Sequence, residues 1–303
     1  MSQLTNFEKV QEFNRAFDMV PKMPAKYISL FEDELGRIQC DPFGNIRPKL
    51  FTDEPKTIKL RLDLIKEEIG ELDAAFKENN TIEVRDALAD ILYVVYGYAD
   101  VLGIEINRCF KDYVYGFNQK KNITSAFELL SLIHKYSNEN DMTKPIGLTN
   151  FAFVRVYGEL IKDDPQTPKD ILVLIKTAYD SLADISQHFD KDTPTLEYFT
   201  NLATQISIIL YWVYSMANKL GINADADFAI VHNSNMSKLC DNEDDARATV
   251  ADYEAKFAKG DSPYDSPYYY YLGDIDKYIV KNRSSGKALK NIKYKKVDFT
   301  AKD

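Results

Sequence analysis

The hexapeptide ILYVVY at Ile91–Tyr96 returns 118 residues later as ILYWVY at Ile209–Tyr214. Each copy runs on to Leu-Gly-Ile, at Leu102–Ile104 and Leu220–Ile222, and the same offset pairs Phe110 with Phe228. Upstream, LIKEEIGEL (Leu64–Leu72) matches LIKTAYDSL (Leu174–Leu182) at an offset of 110. The eight-residue difference is extra loop in the second copy. A chain that repeats two apolar, helix-periodic segments in the same order holds two copies of one helical hairpin. Each copy carries a stripe that it cannot bury alone. The expected fold is therefore an all-α bundle of two pseudo-two-fold related repeats sharing one core.

The periodicity agrees along most of the chain. Leu62, Ile65, Ile69, Leu72 and Phe76 follow one face of a helix. Asn80 or Thr81 can cap the next helix, which runs to about Leu102 and stops before Gly103. Breaks are expected at Asn118–Asn122 and Asp163–Pro168, with helices from about Lys169 and from Leu196 to Leu220. Strand signals appear only at Lys277–Lys290, read as a short β-rich run, a Ser-Ser-Gly turn and a return segment. The resulting division is an N-terminal repeat (1–122), a connecting segment (123–168), a second repeat (169–240) and a basic, Tyr-rich extension (241–303).

Bulk properties narrow the function classes. A net charge of −9 argues against wholesale nucleic-acid binding. Tyr198–Asn218 lacks charge but is broken by Asn201, Thr204, Gln205, Ser207 and Ser215, so it reads as a buried bundle helix and no membrane partner is expected. Three well-separated cysteines and a polar N-terminus predict a reduced, intracellular (cytoplasmic) protein.

The carboxylates of the first repeat are the candidate chemistry. Glu67, Glu68 and Glu71 share one side of a helix, and Asp86 and Asp90 are spaced i, i+4 among Ala87, Leu88, Ala89, Ile91 and Leu92. In the second repeat these positions become Thr177, Ala178, Ser181, Thr204 and Ile208, while the hydrophobic frame persists. The fold does not require the acids. Buried carboxylates need a cation, and Arg61, Lys66 and Arg85 are few against them. Hard oxygen donors from two facing helices suit Mg²⁺, with Mn²⁺ as the alternative. A di-iron centre would need Glu-x-x-His, but Ser131, Ile185 and Ala229 stand three residues before the histidines.

The EExxE run followed by DALADILYVVYG resembles the all-α nucleoside triphosphate pyrophosphatases, which include MazG-type enzymes, dimeric dUTPases and phosphoribosyl-ATP pyrophosphohydrolases. VHNSNMSKL (Val231–Leu239), GKALKNIKY (Gly286–Tyr294) and VQEFNRAF (Val10–Phe17) resemble the phosphoribosyl-ATP pyrophosphohydrolase-like branch. The resemblance implies Mg²⁺ held by Glu67, Glu68, Glu71, Asp86 and Asp90, with Glu67 and Glu68 as catalytic candidates. It implies substrate contacts from His232, Asn235, Lys238, Lys287 and Lys290. The first repeat keeps the acids but has VYGFNQKKN (Val114–Asn122) where the second motif belongs; the second repeat keeps that motif without the acids. The halves look complementary, like a fused homodimer reduced to one site that both halves face.

The expected activity is Mg²⁺-dependent hydrolysis of a (deoxy)nucleoside triphosphate, or a related nucleotide, to monophosphate and pyrophosphate. The alternative is a non-catalytic nucleotide-binding or helical interaction protein. The fused unit is expected to act as a monomer or homodimer on a nucleotide, without nucleic acid.

Overall fold

The computed structural model describes residues 4–23, 45–107, 167–189 and 195–299. Among them are eight helices: α1 (Asn6–Ala16), α2 (Leu50–Asp53), α3 (Pro55–Glu78), α4 (Thr81–Leu102), α5 (Pro168–Gln187), α6 (Thr195–Lys219), α7 (Ala224–Met236) and α8 (Glu243–Ala258). One antiparallel hairpin, β1 (Pro267–Leu272) with β2 (Lys277–Asn282), completes the set. The fold is all-α with a small C-terminal hairpin, as the repeat demanded. The breaks read at Asn118–Asn122 and between the repeats lie outside the described residues, apart from the start of α5.

The chain forms two compact units, residues 22–224 and residues 1–21 with 225–303. In the first unit, α3 and α4 are joined by Asn79–Asn80. Asn79 takes a left-handed conformation, and the Asn80 side chain caps α4 by accepting from the Glu83 N–H at 3.3 Å. Leu62, Ile65, Ile69 and Leu72 of α3 are buried, and so are Ile91, Leu92 and Val95 of α4. In the second hairpin, Thr167 and Asp170 form a capping box at the start of α5, and Pro168 occupies its first turn. Ile171, Ile175, Leu182, Ile209, Leu210 and Val213 bury its stripe.

The hairpins bury these stripes against each other, α4 on α6 and α3 on α5. The equivalent tyrosines Tyr96 and Tyr214 meet, their hydroxyl oxygens 3.4 Å apart. Further contacts join the two hairpins. Tyr98 donates to Ser186 Oγ at 2.7 Å, Tyr179 donates to the Leu62 carbonyl at 3.2 Å, and Lys176 Nζ lies 2.9 Å from Asp73 Oδ2.

Both second helices end alike. Gly103 and Gly221 adopt positive φ, and Ile104 and Ile222 donate back to the carbonyls of Ala99 and Ala217 at 2.9 and 2.8 Å. At Gly103 the chain is also crowded. Arg47 hydrogen-bonds the carbonyls of Asp100 and Val101, and a Cβ on Gly103 would strike the Asn45 carbonyl.

In the other unit, α1 pairs with α7 through Asn6, whose Nδ2 donates to Asp225 Oδ1 at 2.6 Å. Ala16 and Phe17 join Leu239 and Ile279 in one small core, while Cys240, Ala246, Val280 and Leu289 form a second on the opposite face of the β-hairpin. Here the structure differs from the sequence-based pairing. β2 finds its partner upstream in the Tyr-rich segment, and the return segment contributes only a Lys281–Ala288 bridge. Alternation explains it: Tyr270 and Leu272 pack on one core, Tyr269 on the other, so each face of β1 is covered. The VHNSNMSK stretch, grouped by sequence with the second repeat, clusters with α1 and the C-terminal extension.

Candidate active site

The α3–α4 hairpin brings the first repeat's acids to bear on one another. Glu68 is half-buried, as are Asp86 and Asp90 of α4, while Glu67 and Glu71 lie exposed on α3. Burial, and then the negative charges of Asp90, Glu71, Glu67 and Asp86, push the Glu68 carboxyl up to about 8. The five residues expected to bind metal are thus the five that form one electrostatic cluster around Glu68. Asp86 Oδ1 is sealed from solvent. Glu83 stays exposed in the capped first turn of α4. Arg61 is buried against another charge, Asp100, which partly offsets the lowering of its pKa by burial.

The donor chemistry fits a hard divalent cation: every candidate donor is a carboxylate oxygen, and the carboxylates repel one another at Glu68, a repulsion that such an ion relieves. Among the described residues, however, no group of three or more His, Cys, Asp or Glu side chains is drawn together closely enough to hold a metal as it stands.

The motif residues of the second unit gather at α7 and the segment after it. His232 is buried, its Nε2 3.7 Å from Glu12 Oε2. Burial, with Lys9 adding to it, lowers its pKa to about 4, so at neutral pH it is an uncharged hydrogen-bonding group. Glu12 at 3.7 Å is too distant to outweigh that desolvation. Lys238 Nζ donates to Asn235 Oδ1 at 2.6 Å and stands 5.7 Å from the Phe13 ring centroid. Lys287 and Lys290 are exposed, 5.6 Å over Tyr264 and 4.5 Å over Tyr294.

Two serines that the sequence reading did not single out tie the motifs together. Ser234 donates to the Lys295 carbonyl at 2.8 Å, and Ser237 Oγ accepts the Lys295 N–H at 3.0 Å. Asn291 Nδ2 also donates to the Leu239 carbonyl at 2.8 Å, so the VHNSNMSKL and GKALKNIKY stretches are laced to each other. Small polar residues spaced three apart at the end of α7 were the available signal, but nothing in the tail announced the other half of the contact.

Residues 28–113 match the phosphoribosyl-ATP pyrophosphohydrolase family. That stretch contains all five acids. The chain is also similar to an uncharacterized protein of Acanthamoeba polyphaga mimivirus, with 31% identity over 298 residues, spanning 98% of this chain and 94% of that protein. No solved structure matches. Among the described residues no helix is long and apolar enough to cross a membrane.

Proposed function

The chain belongs to the all-α nucleoside triphosphate pyrophosphatase superfamily, and from that premise we infer that it is a Mg²⁺-dependent enzyme that cleaves a (deoxy)nucleoside triphosphate, or a related nucleotide, into monophosphate and pyrophosphate. A pyrophosphohydrolase-type activity follows from the family; the substrate class and the metal are our reading. The observation that carries it is the acid cluster around Glu68, present in the first repeat and replaced by neutral residues in the second.

Glu67, Glu68, Glu71, Asp86 and Asp90 would hold one or two Mg²⁺ ions, Mn²⁺ being the alternative. When bound, the ion supplies charge neutralisation at the phosphates and a more acidic water. Glu67, exposed beside the cluster, would orient the attacking water and accept its proton, with Glu68 the other candidate base. In the other unit, Lys238 offers a point charge of the kind that grips phosphate. Asn235 holds the Lys238 ammonium and so fixes where that charge sits. His232, uncharged, would donate or accept a hydrogen bond. Phosphoryl transfer asks mainly for such positioning and charge balance.

The test is pyrophosphate release across a panel of nucleotides with Mg²⁺, for the wild type, Glu68→Ala and Asp90→Ala. The expected result is loss of at least 100-fold in rate for each variant, with helical circular dichroism unchanged. Full activity in both variants places the chemistry elsewhere. A folded wild type inert on every nucleotide favours a binding protein.

A further inference from the structure

Among the described residues, cations of the second unit repeatedly stand over aromatic rings: Lys9, Lys238, Lys256, Lys281, Arg283, Lys287 and Lys290. Such pairs occur about once per 70–80 residues on average, so this crowding is a feature of the unit. One group of them is mounted on a turn that is unusually well tied down.

The turn follows β2. Asn282 is buried and organises it: its Oδ1 accepts the Ser266 N–H at 2.9 Å, and its Nδ2 reaches Ser284 Oγ at 2.9 Å and Ser285 Oγ at 3.0 Å. Ser284 and Ser266 both donate to Asp265 Oδ1, at 2.5 and 2.8 Å, and the Arg283 N–H donates to the Ser266 carbonyl at 2.9 Å. Asp265, the carboxylate beside the turn, is thus engaged by hydroxyls, which hold its pKa below the usual range. Out of this frame project two exposed cations. The Arg283 guanidinium lies 4.2 Å from the centroid of Tyr268, and Lys287 lies over Tyr264. No carboxylate ion pair engages Arg283 or Lys287 among the described residues. Gly286, at positive φ, turns the chain between them.

A guanidinium laid on a ring keeps its fork of donors in a defined plane, and stacking reduces the entropy lost when it grips a partner. Two exposed cations on a rigid turn match a chain of phosphate oxygens. We propose that the Asn282–Lys287 turn is a polyphosphate-binding element, with Arg283 as its bidentate phosphate ligand, Lys287 as a second point charge, and Tyr268 as the positioning residue that holds the guanidinium. The ligand class is the triphosphate of a nucleotide, and this assignment rests on the substrate class inferred above.

The test uses the full chain and inorganic tripolyphosphate, titrated by calorimetry without divalent metal, followed by steady-state kinetics with the best nucleotide and Mg²⁺. Arg283→Ala should weaken tripolyphosphate binding at least 10-fold. Arg283→Lys should restore only part of the affinity, because the fork is lost. Tyr268→Leu should weaken binding about 3-fold, and Tyr268→Phe should not. Asp90→Ala should lose turnover yet bind tripolyphosphate normally. Wild-type affinity in Arg283→Ala, with its melting temperature unchanged, overturns the proposal while leaving the acid-cluster enzyme intact. Binding that depends on Arg283 in a protein that hydrolyses nothing supports the element and sinks the enzyme.

Discussion

At the scale of single residues, Glu68 carries the sharpest expectation. Its pKa in the fold, about 8, lies above the ordinary 4.5, so between those values the folded state binds more protons than the unfolded one. Stability contributed by the protonated carboxyl is complete below about pH 4.5 and is lost as pH rises through 8. In chelator, Glu68→Gln should therefore match the wild type near pH 5 and exceed it near pH 9, by on the order of 1–2 kcal/mol once solvent screening of a half-exposed group is allowed for. Urea unfolding across that range measures it, and parallel stability curves would refute it. The residues of this cluster were legible in the sequence because their spacing puts them on facing sides of two helices, and because the second repeat shows the frame without them. Arg283 and Ser234 were not legible. Their roles come from contacts with Tyr268 and Lys295, and no periodicity connects those positions.

The helix ends put a prediction at the level of the element. Gly103 and Gly221 close equivalent helices at equivalent φ, yet only Gly103 lies under the Asn45 carbonyl. Gly221→Ala should cost about 1 kcal/mol, the left-handed conformation alone. Gly103→Ala should cost about 3 kcal/mol, because the Asn45 backbone must also move. Thermal unfolding of the two variants compares them directly, and equal losses would show that the crowding is relieved at no cost. The Leu-Gly-Ile signature announced both stops, but the crowding at one of them depends on a distant segment. The β-hairpin teaches the same lesson. Lys277–Asn282 was recognisable as a strand, while its partner was misassigned, because a Tyr-rich run with neither face polar gives no alternation to read.

For the whole molecule, the two similar segments pointed to the all-α architecture, and the two hairpins that carry them bury their stripes against each other. If the second repeat is a scaffold, Ser181→Ala should leave turnover within about 2-fold of wild type. Ser181 Oγ only donates to the Thr177 carbonyl of its own helix, at 3.1 Å. A loss comparable to that of Glu68→Ala would mean that both repeats take part in the chemistry. What the repeat did not reveal is that the second compact unit is assembled from both ends of the chain. Phe17 accepts a hydrogen bond from Lys281, 264 residues onward. At synthesis rates of roughly 5–20 residues per second, α1 leaves the ribosome on the order of 10–50 s before the residues it packs against exist. During that interval Ala16 and Phe17 lack the Leu239 and Ile279 side chains they pack against, so α1 is made early and secured late, and a nascent chain halted before α7 should expose Phe17 to any holdase that recognises it.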